Sequence, residues 1–211
     1  AAARAGDGSA GFVLNGIDDD DSSGGSVSAA GDVNGDGIGD LIIGARRADP
    51  GGRDLAGESY VVFGTAQGFP AQFELADLAS GDGSAGFVLN GIDNGDVSGI
   101  SVSAAGDVNG DGIGDVIIGA HIADPRFRDR AGESYVVFGT DQGFPAQFEL
   151  ADLASGDGSA GFVLNGIDDF DLSGNSVSAA GDVNGDGIGD VIIGTYFASP
   201  GGRSYAGASY V

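Results

Sequence analysis

The chain has 211 residues, of which 32 are acidic and 8 basic, so its formal net charge is −24 at pH 7. A surface this negative repels nucleic acid and anionic lipid, and no apolar run reaches the roughly 18–20 residues of a membrane span. Nucleic-acid binding and membrane insertion are therefore not expected. Cysteine and methionine are both absent, which excludes disulfides and thiolate metal sites and leaves oxidation few targets, and this suits a protein that works outside the cell. Because the chain begins without Met, we expect a processed product or a piece of something longer.

Four short strands are predicted in chain order near the beginning of the chain, each bounded by glycine or small polar residues. Glycine supplies 43 residues, which is typical of short strands joined by tight turns. A helical turn is expected only in Pro70–Ser80 and its later copy. The predicted strands are Gly11–Asn15 (GFVLN), Ser26–Ala30 (SVSAA), Leu41–Gly44 (LIIG) and Ser59–Phe63 (SYVVF).

The same pattern occurs three times. The segment GDGSAGFVLNGID begins at Gly6, Gly81 and Gly156, so the period is 75 residues (81 − 6 = 75). Self-similarity at a fixed period marks a solenoid, a propeller or an array. We expect units at residues 1–80, 81–155 and 156–211, the last incomplete at its C-terminal end. Short, evenly spaced strands favour propeller blades among these architectures.

A nine-residue loop follows the second predicted strand of every unit, with oxygen-bearing side chains at its positions 1, 3, 5 and 9. Such a loop supplies the hard oxygen ligands that Ca²⁺ prefers, and glycines let it curl around an ion. Three close carboxylates also repel one another unless a cation lies between them. An acidic turn that binds nothing is the alternative. The predicted ligands, with the carbonyl at position 7, are Asp32, Asn34, Asp36, Ile38 and Asp40, then Asp107, Asn109, Asp111, Ile113 and Asp115, and finally Asp182, Asn184, Asp186, Ile188 and Asp190.

The run from GGSVSAAGDVNGDGIGDLIIGA to GESYVVFG resembles the FG-GAP repeat of integrin α-chain β-propellers and their bacterial relatives. The resemblance covers nearly the whole chain. It implies an all-β fold with blades of four antiparallel strands, and Ca²⁺ in the loop between the first and second strands. Propellers of this family usually have about seven blades, so three units should remain open rather than close into a ring.

Open blades leave unpaired strand edges, which other chains can cover by strand donation. We therefore expect an extracellular calcium-binding structural protein whose protomers self-associate by strand pairing into a filament or surface layer. The alternative is an adhesion module that binds a protein or glycan on the face opposite the calcium loops. Differences between units gather there, in Asp18–Gly25 and Ala45–Ala56 and their copies. Seven of the eight arginines lie in the second of these loops: Arg46, Arg47, Arg53, Arg126, Arg128, Arg130 and Arg203.

Catalysis is not expected. The single histidine, His121, stands where the other units carry Arg46 and Tyr196. A lone histidine in a variable loop is more often a surface residue than a general base. No pairing of a nucleophile with a general base can be recognised from the spacing of residues in the sequence. The aspartate clusters are assigned to metal.

Overall fold

The computed structural model describes residues 8 and 10–211. Within this range the chain forms short strands, two short helices and glycine-rich turns. None of these helices has the length and apolar character needed to cross a membrane. The elements are β1 (Val13–Asn15), β2 (Ser26–Gly31), β3 (Asp40–Ala45), β4 (Glu58–Val62), β5 (Gln72–Glu74), α1 (Ala76–Ala79), β6 (Gly86–Asn90), β7 (Ser101–Gly106), β8 (Asp115–Ala120), β9 (Glu133–Val137), β10 (Gln147–Glu149), α2 (Ala151–Ser155), β11 (Gly161–Asn165), β12 (Ser176–Gly181), β13 (Asp190–Thr195) and β14 (Ala208–Tyr210).

Most strands lie in three sets of antiparallel strands, which we call blades; β1 and β5 form a separate parallel pair. The first blade has the order β2–β3–β4–β6, the second β7–β8–β9–β11, and the third β12–β13–β14. The outer strand of the first two blades comes from the following unit, so β6 pairs with β4 and β11 with β9. This arrangement confirms the predicted all-β fold of open, propeller-like blades. The division of the chain after residues 80 and 155 stays a prediction.

The long connection between the third and fourth strands of a blade contains a strand that the sequence did not predict. Its Gln-Phe-Glu segment is extended, so the helical turn expected in Pro70–Ser80 is confined to α1. In the second unit the equivalent strand, β10, reaches back to the first blade and pairs with β6 in parallel. In the first unit, β5 pairs with β1 in the same way. Each connection thus extends to the strand that precedes its own blade.

The hydrophobic core lies between the blades rather than inside any one of them. One buried cluster joins Ile42 and Phe87 of the first blade to Val102 and Ile118 of the second. Another joins Ile117 of the second blade to Val177 and Ile193 of the third. A further cluster packs β1, β5 and α1 against the other side of the first blade. A blade therefore completes its core only when a neighbour covers it.

Neighbouring blades approach so closely that backbone touches backbone at glycine. A side-chain carbon at Gly44 of β3 would lie well inside contact distance of the Gly99 carbonyl oxygen in the second blade. Gly119 and Gly174 repeat this contact between the second and third blades. Gly194 is the same position in the third blade, where an added carbon would meet only the Ser176 side chain, at 3.5 Å.

Replacement of Gly44 by alanine should therefore destabilise the chain. The new methyl group overpacks the junction against rigid backbone, and we expect a loss of about 2–3 kcal/mol of unfolding free energy. Gly194→Ala is the matched control, with an expected change below about 0.5 kcal/mol in dilute protein. Urea denaturation followed by circular dichroism measures both. Equal losses in the two variants would contradict the proposed close contact.

Candidate metal centre

The three predicted metal loops connect β2 to β3, β7 to β8 and β12 to β13, and each is curled by its own side chains. In the first loop, Asp32 accepts hydrogen bonds from the backbone N–H of Asp36 (3.0 Å) and Gly37 (2.8 Å). Asn34 Oδ1 accepts another from Asp36 N–H, at 3.1 Å, and Asp36 Oδ1 one from Ile38 N–H, at 2.8 Å. These bonds curl the loop around its own carboxylates.

The second and third loops repeat this curl. Asp107 accepts from the N–H groups of Asp111 and Gly112. Asp182 accepts from Asp186 and Gly187. The identical sequence thus gives the same local hydrogen bonds in all three loops, as expected for short-range Asx turns.

The last aspartate of each loop has a different environment from the others. Asp40 is only 2% exposed, and its two carboxylate oxygens accept from the N–H groups of Val33 and Gly64, each at 2.8 Å. Asp115 makes the same pair of bonds with Val108 and Gly139. Gly64 and Gly139 follow β4 and β9, the third strands of their blades. This carboxylate therefore bonds the loop to the third strand of its own blade. Burial raises the pKa of Asp40, and it raises the pKa of Asp115 to about 6.

Asp190 of the third loop is more exposed. Its Oδ2 accepts from Val183 N–H at 2.8 Å, whereas its Oδ1 accepts from the side chain of Asn184 at 3.4 Å. The whole of the third loop from Asp182 to Ile188 is exposed. The first loop, by contrast, is bonded to the second blade, since Gly114 N–H donates to the Asp32 carbonyl at 2.9 Å. A following blade therefore supports the first loop but not the third.

The donor set of these loops fits calcium in kind, because every candidate ligand is a hard carboxylate, amide or carbonyl oxygen. The positions of these side chains fit an ion less well than their chemistry does. Across residues 8 and 10–211, no three acidic, histidine or cysteine side chains are grouped closely enough to hold one ion. The predicted ligands of each set lie in one loop, and their role in metal binding stays a prediction. The sequence did not foresee that backbone N–H groups hold Asp32 and Asp36, or that Asp40 points into the blade.

The opposite end of the blades carries the two variable loops, which lie together as the alternation of strand direction predicts. Arg47 N–H donates to the Asp21 carbonyl at 3.2 Å. A cavity of about 400 Å³ at this end is lined by carboxylates, among them Asp18, Asp21, Asp49 and Glu58. Burial raises the pKa of Glu58.

The arginines of this face are not all available to a ligand. Arg53 forms an ion pair with Glu149 of β10 at 2.8 Å, and its side chain is about a third exposed. Arg130 lies 3.9 Å from Asp129. His121, expected at the surface, is half-buried, and burial lowers its pKa. Sequence reasoning missed the role of Arg53 because its partner is 96 residues away in the chain.

Comparison with known proteins places all three units in a recognised group of repeats. The family model of the FG-GAP repeat matches residues 23–62, 98–137 and 173–211. Phosphatidylinositol-glycan-specific phospholipase D from Bos taurus is 33% identical over 186 residues, which are 85% of this chain and 20% of that protein. Integrin alpha pat-2 from Caenorhabditis elegans is 32% identical over 200 residues, which are 89% of this chain and 13% of that protein. The chain spans about a fifth or less of the length of these relatives.

The environment of the last loop aspartate predicts a structural role that does not depend on metal. Asp115→Asn leaves one acceptor oxygen for two backbone N–H donors, so one N–H meets the side-chain NH2 group and loses its acceptor. We expect a loss of about 1–3 kcal/mol of unfolding free energy. Asp190→Asn, in the exposed third loop, should cost less than about 1 kcal/mol. Urea unfolding in the presence of a chelator measures both. A similar small loss at the two positions would show that the buried bonds contribute nothing.

Asp96 at the opposite end predicts a pH dependence of stability. Burial raises its pKa to about 7, with Asp93, Glu133 and Asp124 adding repulsion. The folded chain therefore holds this proton more tightly than the unfolded chain, and the stabilisation is lost as pH rises from about 4 through about 7. Asp96→Asn removes this contribution, so the variant should gain in melting temperature over the parent between pH 5 and pH 8. Asp54→Asn, which removes an exposed carboxylate, should show no such gain.

Proposed function

This chain belongs to the FG-GAP repeat family, and on that premise we propose that it is a calcium-stabilised extracellular building module whose copies associate blade to blade. The family supplies a propeller-like repeat module, and the phospholipase relative is matched over only a fifth of its length. Catalysis has no part in the proposal. The following paragraphs give the observations that support it.

The single observation that carries the proposal is the complementary exposure of the two end blades. On the side facing the preceding blade, Val102 and Val177 are 4% and 6% exposed, whereas Val27 of the first blade is 65% exposed. On the side facing the following blade, Ile42 and Ile117 are fully buried, whereas Ile192 of the third blade is 36% exposed. The two faces thus match the two halves of a junction that the chain already makes twice. Another blade of the same repeat, which a second copy can supply, is the partner that fits.

Strand pairing supports the same partner. Among the described residues, no strand pairs with β14 in the way that β6 and β11 pair with the third strands of the first two blades. The matching GFVLN segment of the first unit, which contains β1, pairs only with β5 among the described residues. Addition of β1 from a second copy to β14 would give the third blade its fourth strand, by β-strand addition at an open edge.

Calcium, when bound, would supply the positive charge that balances the loop carboxylates. We assign the ligands to the predicted sets in the three loops. In the first loop these are Asp32, Asn34, Asp36, the Ile38 carbonyl and Asp40. The loop oxygens are shared with backbone N–H groups, which suits weak sites that fill at the roughly millimolar calcium levels of extracellular modules. Neutralising part of a net charge of −24 would also reduce repulsion between copies.

A second candidate function is ligand binding on the face opposite the calcium loops, as an adhesion module for a protein or glycan. The observation that favours it is the acid-lined cavity of about 400 Å³ beside the variable loops. Its carboxylates suit a partner with exposed cationic groups. In this case the chain would act as a single particle rather than as part of an array.

One experiment separates these functions. We expect the chain to form long, regular particles in millimolar calcium, seen by negative-stain electron microscopy and sedimentation velocity, and to dissociate after chelation. Asp36→Ala combined with Asp111→Ala and Asp186→Ala should assemble as poorly in calcium as the parent does in chelator. Magnesium at equal ionic strength is the control for simple charge screening. Single particles in every condition would reject assembly and favour the ligand-binding module.

A further inference from the structure

Two pockets of the same construction lie beside the first and second metal loops, with volumes of about 340 and 300 Å³. Each lies between the metal loop of its unit, the residues that follow the third strand of the blade, and the Gln-Phe-Glu strand of the connection. Three phenylalanines, an asparagine and an aspartate characterise both. These are Phe63, Phe69, Phe73, Asn34 and Asp36 in the first pocket, and Phe138, Phe144, Phe148, Asn109 and Asp111 in the second.

The pockets do not depend on either end of the chain. Every residue that lines the second pocket stands 75 positions after one that lines the first, as Asn109 does after Asn34 (109 − 34 = 75). The first pocket has the second unit after it, whereas the second pocket has the first blade before it. The same cavity forms in both settings, so it is a property of the repeat.

Ring stacking holds the apolar wall of each pocket in place. Phe144 stacks on Phe87 of β6 with the ring centroids 4.1 Å apart, and Phe69 stacks on Phe12 at the same distance. Phe73 and Phe148 are half-buried, so part of each side chain stays open to its pocket. Because these side chains are already fixed by packing, a ligand that contacts them bears little cost of ordering them.

The polar side of each pocket is acidic. Asp111 is exposed, and its two oxygens accept from Ile113 N–H at 2.8 Å and from the Asn109 side chain at 2.9 Å. Each carboxylate oxygen has a second lone pair, which remains for a ligand that donates. Among the described residues, no arginine or histidine lines either pocket. The pockets therefore offer no counter-charge to an anion and suit a cation.

We infer that each pocket receives a basic side chain of a partner protein. The apolar stem of a lysine or arginine lies against the phenylalanines, and its cationic head meets the loop aspartate. Cations are attracted to the faces of aromatic rings, and a carboxylate beside the rings adds a charged hydrogen bond. A net charge of −24 also attracts basic partners from a distance. This interaction goes beyond the proposed assembly and does not require it.

Calcium opposes this interaction, a step that rests on the proposed calcium sites. Those sites use the same aspartates, Asp36 and Asp111. A carboxylate that binds calcium attracts an ammonium group less strongly, so each cation weakens the binding of the other. The basic partner is therefore held best where calcium is scarce and is released where calcium is abundant.

Titration with N-acetyl-lysine methylamide in the presence of a chelator tests the pockets. NMR follows the amide groups of Gly68 and Gly143, which line the first and second pockets. We expect both signals to shift and to saturate. The Nε-acetylated ligand keeps the stem without the charge, and methylamine keeps the charge without the stem, so each should bind at least about tenfold more weakly. Equal binding of either control ligand would overturn the inferred occupant.

Asp111→Asn tests the assigned carboxylate, and it keeps an oxygen for the Ile113 N–H. The shift of Gly143 should require at least about tenfold more ligand, whereas Gly68 should respond as in the parent. Asp186→Asn is the matched control, because it makes the same change in the third loop and lines neither pocket. Unchanged binding at Gly143 in a folded Asp111→Asn chain would overturn the inference.

The same titration in millimolar calcium separates this inference from the proposed function. Weaker binding at both glycines supports the shared aspartates. Undiminished binding rejects the assignment of Asp36 and Asp111 to calcium and leaves the pockets in place. A lack of saturable shifts in chelator rejects the pockets and leaves the calcium sites and the assembly in place.

Discussion

Contact between bare backbones is the constraint on which the rest of this structure depends. Blades meet at Gly44 and Gly99, and again at Gly119 and Gly174, where no side chain fits between them. This closeness fits the serine, alanine and glycine residues that make up most of the inner strands. It also lets serine hydroxyls accept N–H groups directly across the junctions. Apolar side chains such as Ile42, Phe87 and Val102 fill the rest of the space between the blades.

The metal loops belong to the same junctions. Their carboxylates are arranged by local hydrogen bonds, but their backbone also accepts N–H groups from the following blade, through Asp32 and Val33 in the first loop. A loop at an inner junction is therefore held on both sides, whereas the third loop is held only by its own blade. Charge and packing are coupled at these points, because the residues that concentrate negative charge also position the neighbouring sheet. The opposite ends of the blades are less constrained, and there the three units differ most in sequence.

Much of the fold could be predicted from the sequence because it depends on short-range signals. Leu41–Gly44 lies within β3, and Ser59–Phe63 overlaps β4 with each end shifted by one residue. β5 was missed because three residues alternating polar, apolar and polar carry too little pattern, and the strand exists only through its partner β1. The loop ligands were predicted as a set from their spacing. The burial of Asp40 and its bond to Gly64 depend on the packing of the blade, which residue spacing does not reveal. The role of Arg53 depends in the same way on a partner from a distant unit.

The pairing of β10 with β6 of the preceding blade gives the chain a particular response to tension. A pull along the chain cannot straighten the second unit's connection without first shearing β10 from β6, and that shear opposes several parallel hydrogen bonds at once. Because β6 is itself the outer strand of the first blade, the load passes into that blade before its neighbour begins to unravel. Because successive units overlap in this way, a stretching force is distributed over two sheets.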